Sequence, residues 1–173
     1  LFESARILGM KIPYTEEEIN RACYAAAQAQ NIEDGYLRPV VFRGSEMMAV
    51  SAQNTQIHVA IAAWQWPSYF DPKEKMKGIR LAIADWKRPA PDTAPTKAKA
   101  AGLYMICTLS KHKAEAEGYA DAMMLDYRGY VAEATGANMF FVQDGKLYTP
   151  IADLRLDGVT RRLGIELTRA RQI

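Results

Sequence analysis

Residues 118–161 constrain the fold of this chain more than any other stretch. The apolar run from Ala122 to Asp126 reads as a strand, and it closes on an Arg128-Gly129 turn with Glu133 just beyond. A second strand is expected to begin near Asn138. Asp144-Gly145 then falls between Asn-Met-Phe-Phe-Val and Lys-Leu-Tyr-Thr. Asp and Gly both tolerate positive φ, so this pair specifies a tight hairpin. A Leu-Asp-Gly-Val-Thr-Arg loop follows and opens onto a helical pattern running to the last residues.

The upstream half has its own punctuation. Leu1–Leu8 carries apolar residues at 1, 2, 5 and 8, the spacing of a helix already under way. Thr15 and Glu18 form a capping-box pattern ahead of a helix expected to run to about Gln30, with Ile19, Ala22, Cys23 and Ala26 on one face. Three strands are expected after it, at Gly35–Arg43, Gln56–Ala63 and Gly78–Ala84, with Pro39 marking an edge or a bulge in the first. Ala101–Glu117 reads as another helix. The order of elements gives an α+β class. Prolines 89, 91 and 95 cannot donate backbone hydrogen bonds and bias their neighbours toward extended forms, so 87–96 is the expected linker between residues 1–86 and 97–173.

Charge and cysteine content exclude several classes. The 22 basic and 20 acidic residues are mixed along the chain, so no basic block favours nucleic acid or an anionic membrane. No apolar run reaches a membrane-spanning length. Cys23 and Cys107 are far apart in apolar surroundings and read as buried reduced thiols, in keeping with a cytoplasmic setting. With two histidines (His58 and His112) and no Cys-x-x-Cys, no metal site is expected. Met123, Met124, Met47 and Met48 read as core fillers.

The residues able to carry chemistry each have a plain alternative. Lys99 lies among Ala98, Ala100, Ala101 and Gly102, where small neighbours admit a flat ring beside the amine; a lysine at the start of an Ala-rich helix is otherwise a solvated one. Glu133, among small residues, suits a carboxylate held against a pyridine nitrogen, or else a solvated loop acid. Gly158, Val159 and Thr160 open a helix whose free N–H groups suit a phosphate, or Asp157 is simply its N-cap. Tyr36 and Arg38 share one face of a strand, where Arg suits a carboxylate or keeps an edge soluble. Tyr104, five residues after Lys99, either sits near that amine or in the core. One amine, one acid and one anion-binding helix start are what a protein needs to hold pyridoxal 5′-phosphate.

As a set, these residues resemble the fold-type IV pyridoxal-phosphate enzymes, and within them the branched-chain amino acid aminotransferases. The resemblance is carried by Tyr36-Leu37-Arg38-Pro39, by Pro95-Thr96-Lys97-Ala98-Lys99-Ala100-Ala101-Gly102-Leu103-Tyr104, and by Gly129-Tyr130-Val131-Ala132-Glu133-Ala134 with Asn138-Met139-Phe140. Tyr148-Thr149-Pro150 and Leu156-Asp157-Gly158-Val159-Thr160-Arg161 complete it, so that it spans nearly the whole chain.

The resemblance implies a D-amino acid aminotransferase-like fold. Residues 1–86 would be the remainder of a small N-terminal α/β domain, and 97–173 the first part of a larger, barrel-like cofactor-binding domain. It implies pyridoxal 5′-phosphate bound covalently by Lys99, which then moves the substrate proton. Glu133 would meet the pyridine nitrogen, Tyr104 the phenolate oxygen, and Gly158, Val159 and Thr160 the phosphate. Asn138 joins this cofactor set, and Leu156 would pack on the ring. Tyr36 and Arg38 would bind substrate carboxylates, and Val50 would line the side-chain pocket. The implied reaction is amino transfer from Leu, Ile or Val to 2-oxoglutarate by a homodimer or larger assembly. A D-amino acid or amine transaminase, an aminodeoxychorismate lyase, or an inactive truncated module are the alternatives. Leu103 departs from the Asn of many relatives. The family's upstream phosphate-binding arginine and its later carboxylate-binding turn would fall outside Leu1–Ile173, so the chain reads as the middle of a longer polypeptide.

Overall fold

Two compact units, Leu1–Pro72 and Lys73–Ile173, make up the chain. A computed structural model describes residues 1–66, 76–151 and 158–171.

In the first unit, α1 (Phe2–Ile7) and α2 (Glu16–Ala29) precede an antiparallel pair, β1 (Tyr36–Arg43) and β2 (Ile57–Trp64). The start of α2 is fixed by the expected capping box: Thr15 Oγ1 accepts from Glu18 N at 3.2 Å, and Thr15 N donates back to Glu18 Oε2 at 2.7 Å. Such a cap stabilises a helix by about 1 kcal/mol. Of the expected apolar face only Ile19 is buried; Cys23 is half-buried and Ala22 exposed, so Cys23 is not the buried thiol expected from its neighbours. The register runs Tyr36↔Trp64 to Arg43↔Ile57, with Pro39 opposite Ile61. Arg43 ties the hairpin to the end of α1, donating from Nη2 to the Leu8 and Gly9 carbonyls at 3.1 Å each. Met48, expected in the core, is 95% exposed, because it lies in the non-strand segment after β1, outside the paired strands.

The second unit begins with β3 (Leu81–Ile83), followed by a 3₁₀ turn at Ala101–Leu103 and α3 (Met105–Ala116). Next come β4 (Asp121–Leu125), β5 (Val131–Ala134), β6 (Phe141–Gln143), β7 (Lys146–Tyr148) and α4 (Val159–Ala170). One sheet has the order β3-β4-β5, parallel between β3 and β4 and antiparallel between β4 and β5. A parallel pair needs a crossover, which the 3₁₀ turn and α3 supply. The core is built from small residues and one large one: Ala114, Ala122, Ala132, Ala134 and Cys107 are buried together with a fully enclosed Met124.

Both expected turns form. Asp144 (φ 51°) and Gly145 (φ 72°) join β6 to β7, and Gly129 (φ 96°) lies in the turn from β4 to β5. The strand expected from Asn138 begins only at Phe141. The proline-rich stretch lies inside the second unit, where Arg88 N donates to the Leu125 carbonyl at 2.8 Å and extends the sheet by a parallel bridge to Asp126.

Candidate functional site

A cleft of about 650 Å³ opens in the second unit. Its lining includes Lys99, Tyr104, Glu133, Asn138, Gly158, Val159 and Thr160, so seven of the residues singled out in the sequence share one cavity. Leu156 and Asp157 lie outside the described residues. Tyr36, Arg38 and Val50 belong to the first unit.

Lys99 is placed by a tight loop. Ala98 N donates to the Pro95 carbonyl and Ala100 N to the Ala98 carbonyl, both at 2.9 Å, while Ala98 itself is buried. The 3₁₀ turn then winds the chain back so that the fifth residue after the lysine faces it. Lys99 Nζ donates to Tyr104 Oη at 2.8 Å. The phenol oxygen keeps a lone pair and a proton of its own for a further partner.

Glu133 is placed by strand alternation. Ala132 and Ala134 turn into the core, which sends Glu133 to the opposite face of β5. There it meets Arg88, whose Nε lies 3.1 Å from Glu133 Oε1 with the two side chains 7% and 15% exposed. Distance and charge make this an ion pair, but the Arg88 Nε–H is not aimed well enough to count as a hydrogen bond. Arg88 Nη1 is anchored separately, on the Leu103 carbonyl at 3.3 Å and on Cys107 Sγ at 3.6 Å. Burial pushes the Cys107 thiol up; the Arg88 charge pulls it down and Glu133 adds to the rise, leaving a net upward shift. Arg88 and Cys107 were not singled out as site residues in the sequence. Arg88 stands in a Trp-Lys-Arg-Pro context that reads as solvated linker, whereas a non-local bridge to β4 puts it inside.

The third wall is the start of α4. Gly158 is its N-cap, with φ −61° and ψ 140°, and among the described residues no side chain caps the helix. A Cβ on Gly158 would fall 2.6 Å from Asn138 Oδ1, so glycine is what lets the backbone of this N-cap lie against Asn138. Gly158, Val159 and Thr160 line the cleft, so the first-turn N–H groups and the positive end of the helix dipole lie at its wall, a setting for an anion.

A flat, phosphate-bearing pyridine aldehyde fits this donor set. The cleft offers an amine for the aldehyde, a phenol for a ring oxygen, a carboxylate for the ring nitrogen and a glycine-opened helix start for the phosphate. Among the described residues, no group of three or more His, Cys, Asp or Glu side chains is arranged to hold a metal ion, and no helix is long and apolar enough to cross a membrane.

In the first unit, Tyr36 packs against Trp64 and Trp66, with ring centroids 5.0 and 5.6 Å apart. The Arg38 guanidinium lies 5.3 Å from the Tyr36 ring centre and 5.4 Å from that of Trp64. Such contacts hold a guanidinium in place while leaving its edge donors available. Trp64 and Trp66 were missed in the sequence, although their alternation at the end of β2 was a visible signal. Val50 is fully exposed.

Known proteins resemble this chain in sequence and in fold. The family model described as "Amino-transferase class IV" matches residues 1–173. A branched-chain-amino-acid aminotransferase of Pseudomonas aeruginosa is 42% identical over 161 residues, 93% of this chain and 52% of that protein. A crystal structure of a branched-chain aminotransferase from Thermoproteus uzoniensis with norvaline superposes with a TM-score of 0.92 at 34% identity, covering 100% of this chain and 58% of its own. The Escherichia coli branched-chain amino acid aminotransferase gives 0.93 at 34% identity, over 99% of this chain and 57% of its own. The chain thus spans just over half the length of the relatives it matches.

Proposed function

This chain belongs to the class IV aminotransferase family and has its α+β, fold-type IV architecture, and on that footing we propose that it forms the cofactor-bearing part of a transaminase of branched-chain L-amino acids. The reaction is transfer of the amino group of Leu, Ile or Val to 2-oxoglutarate, giving the branched 2-oxo acid and glutamate. The observation that carries the reading is the convergence of Lys99, Tyr104, Glu133 and the start of α4 on one cleft.

Lys99, Tyr104, Glu133, Asn138, Gly158, Val159 and Thr160 would hold pyridoxal 5′-phosphate, with Leu156 proposed against its ring. When bound, that group supplies an electron sink for the pair left behind at the substrate Cα. Lys99 Nζ is the anchor for the aldehyde and, once released, the base that takes and returns the Cα proton. Tyr104 Oη orients that amine and binds the ring oxygen. Glu133, steered by Arg88, keeps a proton on the pyridine nitrogen. The N–H groups at 158–160 balance the phosphate charge.

Tyr36 and Arg38 are proposed to bind substrate carboxylates, Arg38 chiefly that of the glutamate or 2-oxoglutarate side chain, and Val50 to contact the apolar side chain. The same reading makes the first compact unit, Leu1–Pro72, the remainder of a small N-terminal domain and the second, Lys73–Ile173, the first part of the larger cofactor domain. It also makes the enzyme a cytoplasmic homodimer or larger assembly.

The test is a steady-state assay of the full-length protein with pyridoxal phosphate, 2-oxoglutarate and either L-leucine or D-alanine. The expected products with L-leucine are 4-methyl-2-oxopentanoate and glutamate. Turnover of D-alanine with none of L-leucine would overturn the branched-chain assignment.

A further inference from the structure

One side chain links α4 to the β6–β7 ribbon. Arg161, in the first turn of α4, donates from Nε to Thr149 Oγ1 at 3.3 Å and from Nη2 to the Pro150 carbonyl at 2.9 Å. Thr149 gives its own hydroxyl proton to the Met139 carbonyl at 2.8 Å. Met139 follows Asn138, and Asn138 Oδ1 is the atom that crowds Gly158 at the N-cap of the same helix. The contacts close a circuit from the helix start through 149–150 and 138–139 back to the helix start.

Among the described residues, little apolar packing lies against that helix. Among its described residues none is buried, and Leu163 and Leu167 on its apolar side remain about half exposed. Phe140 approaches Gly164, where a Cβ would lie 3.2 Å from the ring, but this contact is one turn further on. The polar strap at Arg161 acts at the first turn itself, and the pull of a helix start on an anion fades beyond that turn.

We propose that Arg161 is a positioning residue for anion binding: acting through Thr149, it fixes where the first-turn N–H groups of α4 point, and so sets the affinity for the cofactor's phosphate rather than for its ring. Misplacing such donors by about an ångström is enough to lose most of their effect. The inference rests on the cofactor reading above, and the test separates the two.

Dissociation constants for pyridoxal phosphate and for pyridoxal, which lacks the phosphate, are measured by absorbance titration on full-length wild type, Thr149→Val and Arg161→Lys. Both variants are expected to weaken pyridoxal phosphate by about tenfold while leaving pyridoxal within about twofold, the loss of one well-placed charged hydrogen bond. Equal weakening of both ligands would reduce Arg161 to general structural support and overturn the inference. A loss confined to Arg161→Lys, with Thr149→Val unchanged, would show that Arg161 does not act through Thr149, which also overturns it. Should Arg161→Lys fail to fold, the neutral Thr149→Val carries the test. Failure of the wild type to bind either ligand removes the cofactor reading itself.

Discussion

Arg88 Nε stands 3.1 Å from Glu133 Oε1, and both side chains are withdrawn from solvent. This pair joins a bridge at the end of β4 to the middle of β5, and it decides which way the carboxylate faces in the cleft. Removing one partner of a buried pair leaves the other charge uncompensated. Arg88→Met is therefore expected to destabilise the protein by about 3 kcal/mol in urea unfolding, and Arg88→Met with Glu133→Gln to recover part of that loss. An unchanged unfolding midpoint in the single variant would show that the pair contributes nothing to folding.

Gly158→Ala tests the glycine at the helix start. The added Cβ meets the end of the Asn138 side chain, which can rotate away, so the expected stability cost is only about 1 kcal/mol. Displacing Asn138 should nonetheless weaken pyridoxal phosphate binding. Combining Gly158→Ala with Asn138→Ala removes the clash, so the double variant should recover stability relative to Gly158→Ala in urea unfolding while titration still shows weakened pyridoxal phosphate binding.

Asp126 sets the acid limit of the β4–β5 turn. Burial pushes its carboxyl up, but Arg128 and the N–H groups of Tyr130 and Arg128 more than offset this, and the net shift is downward. A carboxyl depressed in the folded state adds stability that is present above its unfolded value, near about pH 4, and lost as pH falls through the folded value. As pH falls below the unfolded carboxyl's value of about 4, the wild type should lose more stability than Asp126→Asn, as read from thermal midpoints against pH. Parallel acid limbs for the two proteins would remove Asp126 from this role.

Legibility in the sequence followed the range of the interactions. The Thr15 cap, the Asp144-Gly145 hairpin and the strand read at Ala122–Asp126 are decided by neighbours within a few residues, and each stands close to where the pattern put it, whereas the short strand carrying Glu133 was not anticipated. Lys99 and Tyr104 are likewise close in sequence, and the 3₁₀ turn between them is local. Arg88 was illegible because its burial depends on pairing with Leu125 and Asp126, far along the chain, while its proline neighbours mimic a linker. The same non-local pairing draws the proline-rich stretch into the second unit. Met48 and Cys23 show the converse limit: apolar identity alone does not say whether anything packs over a residue.

The most direct test is borohydride fixation of pyridoxal phosphate on the full-length protein, followed by peptide mass mapping. A cofactor anchored by the amine that touches Tyr104 predicts one reduced adduct, on Lys99, and none on a Lys99→Ala variant. An adduct that persists at another lysine in Lys99→Ala, or no adduct on the wild type, would contradict the account.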